Sequence, residues 1–200
     1  MIIKSKYKIA RRLGTPIYEK TQLAKFAQRN ERKSKGPWRP KSDFGQQLLE
    51  KQKVRFTYSL VERQFKKYVK EASAQRGIST VDALFARLET RLDNTIYRLG
   101  FASTRLAAKQ MVSHGHIYVN GKQINVPSYN VKVGNLISVR PSSVKKPLFA
   151  TFDEKMKAVK APTWLSYDAE KKVGTVTGTP KYVPSEHAFN LGSVVEFYSR

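Results

Sequence analysis

The chain has 200 residues, 40% of them hydrophobic, and a net charge of +23 from 38 Lys plus Arg against 15 Asp plus Glu. That is enough length and apolar content for one large folded domain or two small ones; no apolar run approaches the roughly 20 residues of a membrane span, and the lack of cysteine excludes a disulfide framework or a thiolate zinc site. A cationic surplus of this size raises self-repulsion in a compact state unless a polyanion neutralises it, so a nucleic acid is the first partner to consider.

Residues 1–42 carry 13 basic and 2 acidic side chains, a net of +11. The opening "MIIKSKYKIARRLG" is too charged, and its apolar stretch too short, for a secretion signal. Gly36, Pro37 and Pro40 in "SKGPWRPKS" forbid a helix, and few large apolar side chains are available for burial. A basic arm that orders on its partner is therefore expected over 1–42, with "EKTQLAKFAQRNERK" able to form a short helix.

From Asp43 the apolar spacing becomes helical. Asp43 is placed to cap a segment carrying Phe44, Leu48 and Leu49, and "SLVE" at Ser59 to Glu62 reads as a capping box opening a second helix. In that helix Val61, Phe65, Tyr68, Val69 and Ala72 recur at three and four, Arg63, Lys66, Lys67 and Lys70 take the other side, and Gly77 stops it. Another capping box, Ser79 to Asp82, precedes "VDALFARLETRLDNTIYRLG", with Gly100 suited to the position after the helix. At about 100° per residue, Val81, Leu84, Leu88, Leu92, Ile96 and Leu99 share one apolar arc, while Arg87, Arg91, Asn94 and Arg98 fall in a separate one. A break near Thr90 would keep Arg91, Asn94 and Arg98 aligned and release Arg87. On this wheel Glu89 and Asp93 project elsewhere, which leaves the arginine arc without acidic partners at i+4.

Ser103 is expected to cap "TRLAAKQMVS", with Ala107, Ala108, Met111 and Val112 inward and Arg105, Lys109 and Ser113 outward, and Gly115 to end it. Then "HIYV-NG-KQINV" gives a strong hairpin signal, and "YNVKV-GN-LISVR" reads as a second hairpin. Residues 141–200 carry nine basic and six acidic side chains, a net of +3. Here "PLFATFDEKMKAVK" can hold a short helix, "WLSYDAEKKVGTVTG" reads as strand and turn, and "PKYVPSEHAFNLGSVVEFYSR" as turns alternating with extended pieces. Such a tail needs another surface to pack on, and the helices of 43–77 supply one. The fold class expected is α+β: a basic N-terminal arm, 1–42; a discontinuous, mainly helical domain, 43–79 with 141–200; and an inserted helix-helix-antiparallel-sheet domain, 80–140.

His114 and His116 flank Gly115, but as half of a metal site they lack further ligands: there is no cysteine, His187 lies in another segment, and Asp93 is the one acid between Arg91 and Arg140. Gly115 instead lets the chain turn and leaves both rings on the side of Arg105 and Lys109, where imidazole can bond a phosphate or stack on a base. Two solvated turn histidines are the plain alternative. The sequence has no G-x-x-x-x-G-K loop, H-E-x-x-H helix, G-x-S-x-G elbow or dinucleotide glycine pattern. Asp93 in "TRLDN" is the most tempting catalytic acid, although so basic a segment favours its pairing with a nearby arginine. No DNA-reading module is visible, and a scattered basic surface interleaved with Tyr, Phe, Trp and His suits structured RNA better than a duplex groove.

Over residues 91–122, R-L-D, R-L-G, A-S-T-R, V-S-H-G and V-N-G follow in order within "RLDNTIYRLGFASTRLAAKQMVSHGHIYVNGK". This stretch resembles the RNA-binding module named for ribosomal small-subunit protein four, the S-four domain, which also occurs in some pseudouridine synthases, tyrosyl-tRNA synthetases and heat-shock RNA-binding proteins. The flanks "DFGQQLLEKQKVRFTYSLVERQFKKY", "WLSYDAEKKVGTV" and "VVEFYSR" extend the likeness, so that Asp43 to Arg200 is similar to the bacterial-type small-subunit ribosomal protein four family.

That resemblance implies an early-binding assembly protein on a multi-helix junction in the 5′ domain of 16S-type ribosomal RNA. It would sit beside small-subunit ribosomal protein five, near the messenger RNA entry side, and support decoding accuracy on a bacterial cytoplasmic or organelle ribosome. It implies no catalysis, cofactor, metal, membrane or small-molecule substrate. The rival reading, an RNA-modifying enzyme sharing the module, needs a large catalytic domain that neither flank resembles; a free-standing stress RNA binder is a third. By the same resemblance Ser103, Thr104, Arg105, Lys109, Gln110, Ser113, His114 and His116 face RNA, with Arg91 and Arg98 as further candidates. Arg11, Arg12, Lys41, Lys51, Lys53, Arg55 and Arg63 would meet phosphates from the arm and helical part. Many relatives bind zinc through cysteines in the arm; this chain has none, so its arm would be held by packing and RNA.

Overall fold

The computed structural model describes residues 5–23, 42–144, 161–168 and 170–199. Lys41, most of the expected arm helix and the whole of "PLFATFDEKMKAVK" lie outside the described residues. The described residues hold eight α-helices and a five-stranded antiparallel sheet, an α+β fold. They divide into two compact units, one running up to Leu84 and resuming at Tyr182, the other spanning Phe85–Lys181.

In the first unit α1 (Lys6–Leu13), α2 (Asp43–Thr57), α3 (Glu62–Ser73) and the C-terminal α8 (Leu191–Ser199) gather round a core that includes Val54, Leu60, Phe65, Val69, Leu191 and Val194. Fully burying side chains of this kind stabilises by about 1.5–3 kcal/mol each relative to exposure. Helix α8 packs chiefly on α2, where Phe44 meets Phe197 at 5.4 Å, and Tyr198 lies edge-on to Phe65 of α3 at 5.9 Å. This corrects the reading of 180–200 as turns alternating with extended pieces. Its Val and aromatic residues favour strand in isolation, but Asn190 Oδ1 accepts the Ser193 N–H at the helix start and the apolar face finds α2.

The N-terminal segment also differs from expectation, because its beginning folds. Ala10 and Leu13 of α1 are buried, Ile9 and Leu13 face a cavity shared with Leu48, Leu49 and Phe56 of α2, and Gly14 closes the helix at φ +69°. Burial pushes the Tyr18 phenol up to about 12, against the pull of the Arg55 charge.

Three helix starts shift by one or two residues. Ser42, not Asp43, caps α2 through its hydroxyl to the Gly45 N–H. Val61 is the N-cap of α3, while Ser59 is buried in the left-handed region at φ +53° and makes no capping box. Thr104, not Ser103, caps α6 (Arg105–Ser113): its extended backbone aims Oγ1 at the Ala107 N–H, 3.1 Å away.

The long helical pattern breaks as anticipated into α4 (Thr80–Glu89) and α5 (Leu92–Leu99), with Gly100 in the left-handed region after α5. The second unit then places α5 and α6 with a sheet of order β2-β1-β3-β5-β4, all antiparallel. Strands β1 (Ile117–Val119) and β2 (Lys122–Gln123) join at Asn120-Gly121, both with positive φ, as the tight hairpin requires. Strand β3 (Leu136–Val139) pairs β1 on one side and β5 (Val173–Val176) on the other, and β4 (Leu165–Asp168) forms the far edge. Gly174 lets β5 approach α5, since a Cβ there would meet Leu99 at 2.5 Å. Leu92, Ile96, Leu99, Met111, Ile117, Ile137 and Trp164 centre this core.

Two sequence expectations fail here for identifiable reasons. The hairpin expected over 129–139 is absent, because Pro127 and Tyr129 offer their carbonyls to the Asp93 and Leu92 N–H groups at the start of α5 instead of pairing with β3. The division between units falls inside α4 and at Lys181, not at 79/80 and 140/141, because β4 and β5 complete the inserted sheet. A single helical turn, α7 (Pro141–Val144), follows β3.

Candidate nucleic-acid interface

The break between α4 and α5 determines the chemistry of the second unit. Arg91 precedes α5 in extended conformation, and its guanidinium grips Asp93 through Nε (3.0 Å) and Nη2 (2.6 Å). Both residues are buried, so Arg91 is not placed to meet RNA. Asp93 also accepts the Asn94 N–H at 2.9 Å. It pairs with an arginine, as its basic surroundings suggested, and does not stand open as an acid.

Ten residues along a continuous helix, Glu89 and Arg98 would sit on opposite faces, nine steps or about 180° apart. The break folds them together. Glu89 is only 1% exposed, and its carboxylate accepts Arg98 Nε at 2.8 Å, Arg98 Nη2 at 3.0 Å and Asn94 Nδ2 at 2.9 Å. Asn94, also buried, turns its Oδ1 to Arg105 Nε at 2.8 Å. The Arg105 guanidinium lies over the Tyr97 ring, 4.4 Å from its centroid. Helix α5 thus carries Arg98 beside a buried carboxylate and holds Arg105 of α6 through a neutral amide and an aromatic face.

From Arg105 the stripe expected on α6 is present. Arg105 and Lys109 are half-buried, Ser103, Gln110, Ser113 and His114 are exposed, and Ser113 Oγ donates to the Lys109 carbonyl at 2.9 Å. Thr104 spends its hydroxyl oxygen on the cap. After Gly115 the chain turns so that the His114 and His116 rings lie 6.0 Å apart, and His116 Nδ1 is 2.9 Å from Ser143 Oγ. Gly115 has a packing reason as well as a conformational one: a Cβ there would collide with Gln123 Nε2, which donates to the Gly115 carbonyl. No acid lies in α6.

The cations expected on α2 behave differently. Lys51 is buried, paired to Glu62 of α3 at 2.8 Å and seated 4.6 Å from the Phe197 ring centroid. Lys53 pairs with Glu50 at 2.7 Å and Arg55 with Glu62 at 3.3 Å. Burial alone would raise the Glu62 carboxyl, but hydrogen bonds from Lys51 and Tyr198 and the charges of Lys51 and Arg55 together hold it below its ordinary value. Lys51 and Arg55 thus tie α2 to α3 through Glu62, and Lys53 pairs within α2, so each of these expected phosphate contacts already has a carboxylate partner. Arg11, Arg12 and Arg63 are exposed, with Arg11 Nε donating to the Tyr7 carbonyl.

A model of the ribosomal protein S4/S9 N-terminal domain matches residues 2–89, and one of the S4 domain matches 90–137. The small ribosomal subunit protein uS4 of Chloroflexus aurantiacus is 43% identical over 199 residues, 96% of each chain. The chain belongs to the ribosomal protein S4 family. Its counterpart in Roseiflexus castenholzii is 44% identical over 198 residues, again 96% of each chain, and that of Syntrophomonas wolfei 46% identical over 159 residues, 80% of this chain and 76% of the relative.

The two family models meet at Glu89 and Thr90, where α4 ends. The S4 domain match holds the whole α5–α6 edge. Sequence reasoning missed Glu89, Tyr97 and the role of Asn94 there, because a wheel drawn through 80–99 hides the Glu89 contacts made across the break and shows nothing of the contacts that Asn94 and Tyr97 make to Arg105 of α6. One signal was available: "RLDN" puts an acid and an amide in the first turn of a helix that begins anew at Leu92.

Proposed function

We propose that this protein is a structural constituent of the small ribosomal subunit that binds small-subunit ribosomal RNA, with the α5–α6 edge as its principal contact. The single observation that carries this reading is the stripe from Arg105 through Lys109 to the His114–His116 corner, on a helix without acids and with its leading arginine already held in place. Ser103, Thr104, Gln110 and Ser113 line the same edge, Arg98 adjoins it, and Arg11, Arg12 and Arg63 add phosphate contacts from the other unit. Guanidinium forks suit phosphate geometry, and displaced counterions supply the drive. The RNA site is a multi-helix junction of the 5′ domain, and small-subunit ribosomal protein five and messenger RNA at the entry side are the neighbours, on bacterial cytoplasmic ribosomes. Full-length likeness to proteins named for the small subunit supports this assignment.

Five cations, Arg11, Arg12, Arg63, Arg105 and Lys109, contribute a slope of about −4 in log affinity against log salt. Hydroxyl-radical footprinting of the purified chain on small-subunit RNA is the test. Protection concentrated at one junction of the 5′ domain is expected; absent or evenly scattered protection contradicts the reading. Turnover in a tritium-release assay on uridine-labelled RNA would favour the modifying-enzyme alternative, against which stands the burial of Asp93 beneath Arg91.

A further inference from the structure

We infer that Asn94 is the positioning residue for Arg105, so that the buried Glu89–Asn94 pair gives the two arginines of this edge different tasks: Arg98 is pinned by a carboxylate, Arg105 by an uncharged acceptor. The inference rests on the α5–α6 edge being the RNA contact.

The amide of Asn94 has its orientation set by its neighbours. Its Nδ2 donates twice to Glu89, to the backbone carbonyl at 3.1 Å and to Oε2 at 2.9 Å. A flipped amide would set its oxygen against that carboxylate and lose both bonds. Oδ1 is therefore committed to the Arg105 side, where Nε donates at 2.8 Å. Asn94 is 2% exposed, so the acceptor is shielded from water while the half-buried Arg105 reaches it from the edge. Tyr97, one turn further along α5, supplies the second restraint by lying under the guanidinium plane. An amide and a ring fix where the guanidinium sits, and neither contact brings a negative charge to it.

A carboxylate facing Arg105 could also accept its Nε N–H, but it would subtract its charge from the field seen by phosphate, and at position 94 it would lose both bonds to Glu89. Arg98 is the internal contrast, since Glu89 accepts two of its N–H groups and is itself almost wholly buried. Arg98 thereby ties α5 back to the end of α4, while Asn94 and Tyr97 hold Arg105 on the edge proposed to meet RNA. The arrangement preorganises a long side chain before RNA arrives, and less rotamer freedom is then lost on binding.

The test is a double-mutant cycle on RNA binding, read with the salt slope. Arg105→Ala should weaken binding and reduce the slope by about 0.7 to 0.9, the share of one phosphate contact. Asn94→Ala should weaken binding about tenfold, as for loss of a buried hydrogen-bond partner, with the slope unchanged. On an Arg105→Ala background it should have no further effect. Equal weakening by Asn94→Ala in both backgrounds would overturn the positioning role while leaving the edge intact as the RNA site. No effect of Arg105→Ala would remove the edge itself, and the inference with it. The exchange rate of the Arg105 Nε–H, read by NMR in the free parent protein, covers the case in which Asn94→Ala misfolds, because it reports the bond to Asn94 without any substitution. Exchange much slower than that of the exposed Arg63 is expected; exchange as fast as that of Arg63 overturns the inference.

Discussion

Helices α2 and α6 both present runs of cations, Lys51-Lys53-Arg55 on one and Arg105-Lys109 on the other, and the two runs have opposite fates. On α2 every member has a carboxylate within reach: Glu62 for Lys51 and Arg55, Glu50 for Lys53. Helix α8 then lays Phe197 and Tyr198 over Lys51, at 4.6 and 5.7 Å. On α6 there is no acid, and the neighbouring acids of α4 and α5, Glu89 and Asp93, are bonded to Arg98 and Arg91. Positive charge in the sequence is therefore not one quantity. Its role depends on the partners that folding supplies: carboxylates for Lys51, Lys53 and Arg55 of α2, a buried amide and a ring for Arg105 of α6.

The contrast yields ordered expectations. The largest effect belongs to Arg105→Glu with Lys109→Glu, which removes two attractions and adds two repulsions: RNA affinity should fall by about 100-fold or more with the circular dichroism unchanged, and stability should fall by about 1–3 kcal/mol, the loss of the Asn94 bond. Lys51→Ala should do the reverse. It leaves Glu62 without its closest cation and α8 without a cation under its rings, a loss of about 1–2 kcal/mol in chemical denaturation, while the salt slope of RNA binding stays as it was. Arg63→Ala, on the exposed side of α3, should reduce the slope by about 0.7 to 0.9 without altering stability.

The smallest effect concerns pH. Because the folded-state carboxyl of Glu62 lies below its ordinary 4.5, its contribution to stability is fully present above that value and is lost as pH falls through the folded value. Glu62→Gln should flatten the acid limb of the stability curve below about pH 4.5 and leave RNA binding at neutral pH unaltered. A variant whose acid limb matches the parent's would show that the Lys51–Glu62–Arg55 cluster does not brace the helices electrostatically.

Much of this architecture was legible in the sequence because it rests on local chemistry. Periodic apolar residues announced α2 to α6, Gly100 and Gly115 marked helix ends, and Asn120-Gly121 announced the hairpin. What escaped depends on partners remote in sequence. Helix α8 reads as extended until α2 is beside it, and 129–133 reads as strand until the open N–H groups of α5 claim the carbonyls of Pro127 and Tyr129. The site divided along the same line. The α6 stripe and the His114–His116 corner follow from spacing within one segment, whereas Asp93 meets Arg91 only because Arg91 stands extended before α5, and Glu62 reaches Lys51 and Arg55 from another helix. Glu89 was the hardest to read, since its bonds to Arg98 exist only because α4 stops there.

The most direct measurement compares salt slopes for two double variants on the same small-subunit RNA fragment, Arg105→Ala with Lys109→Ala and Lys51→Ala with Lys53→Ala, at a temperature where both are folded. The first pair should lower the magnitude of the slope by about 1.4 to 1.8 and the second should leave it unchanged. Equal changes for the two pairs, or a change confined to the α2 pair, would contradict the account.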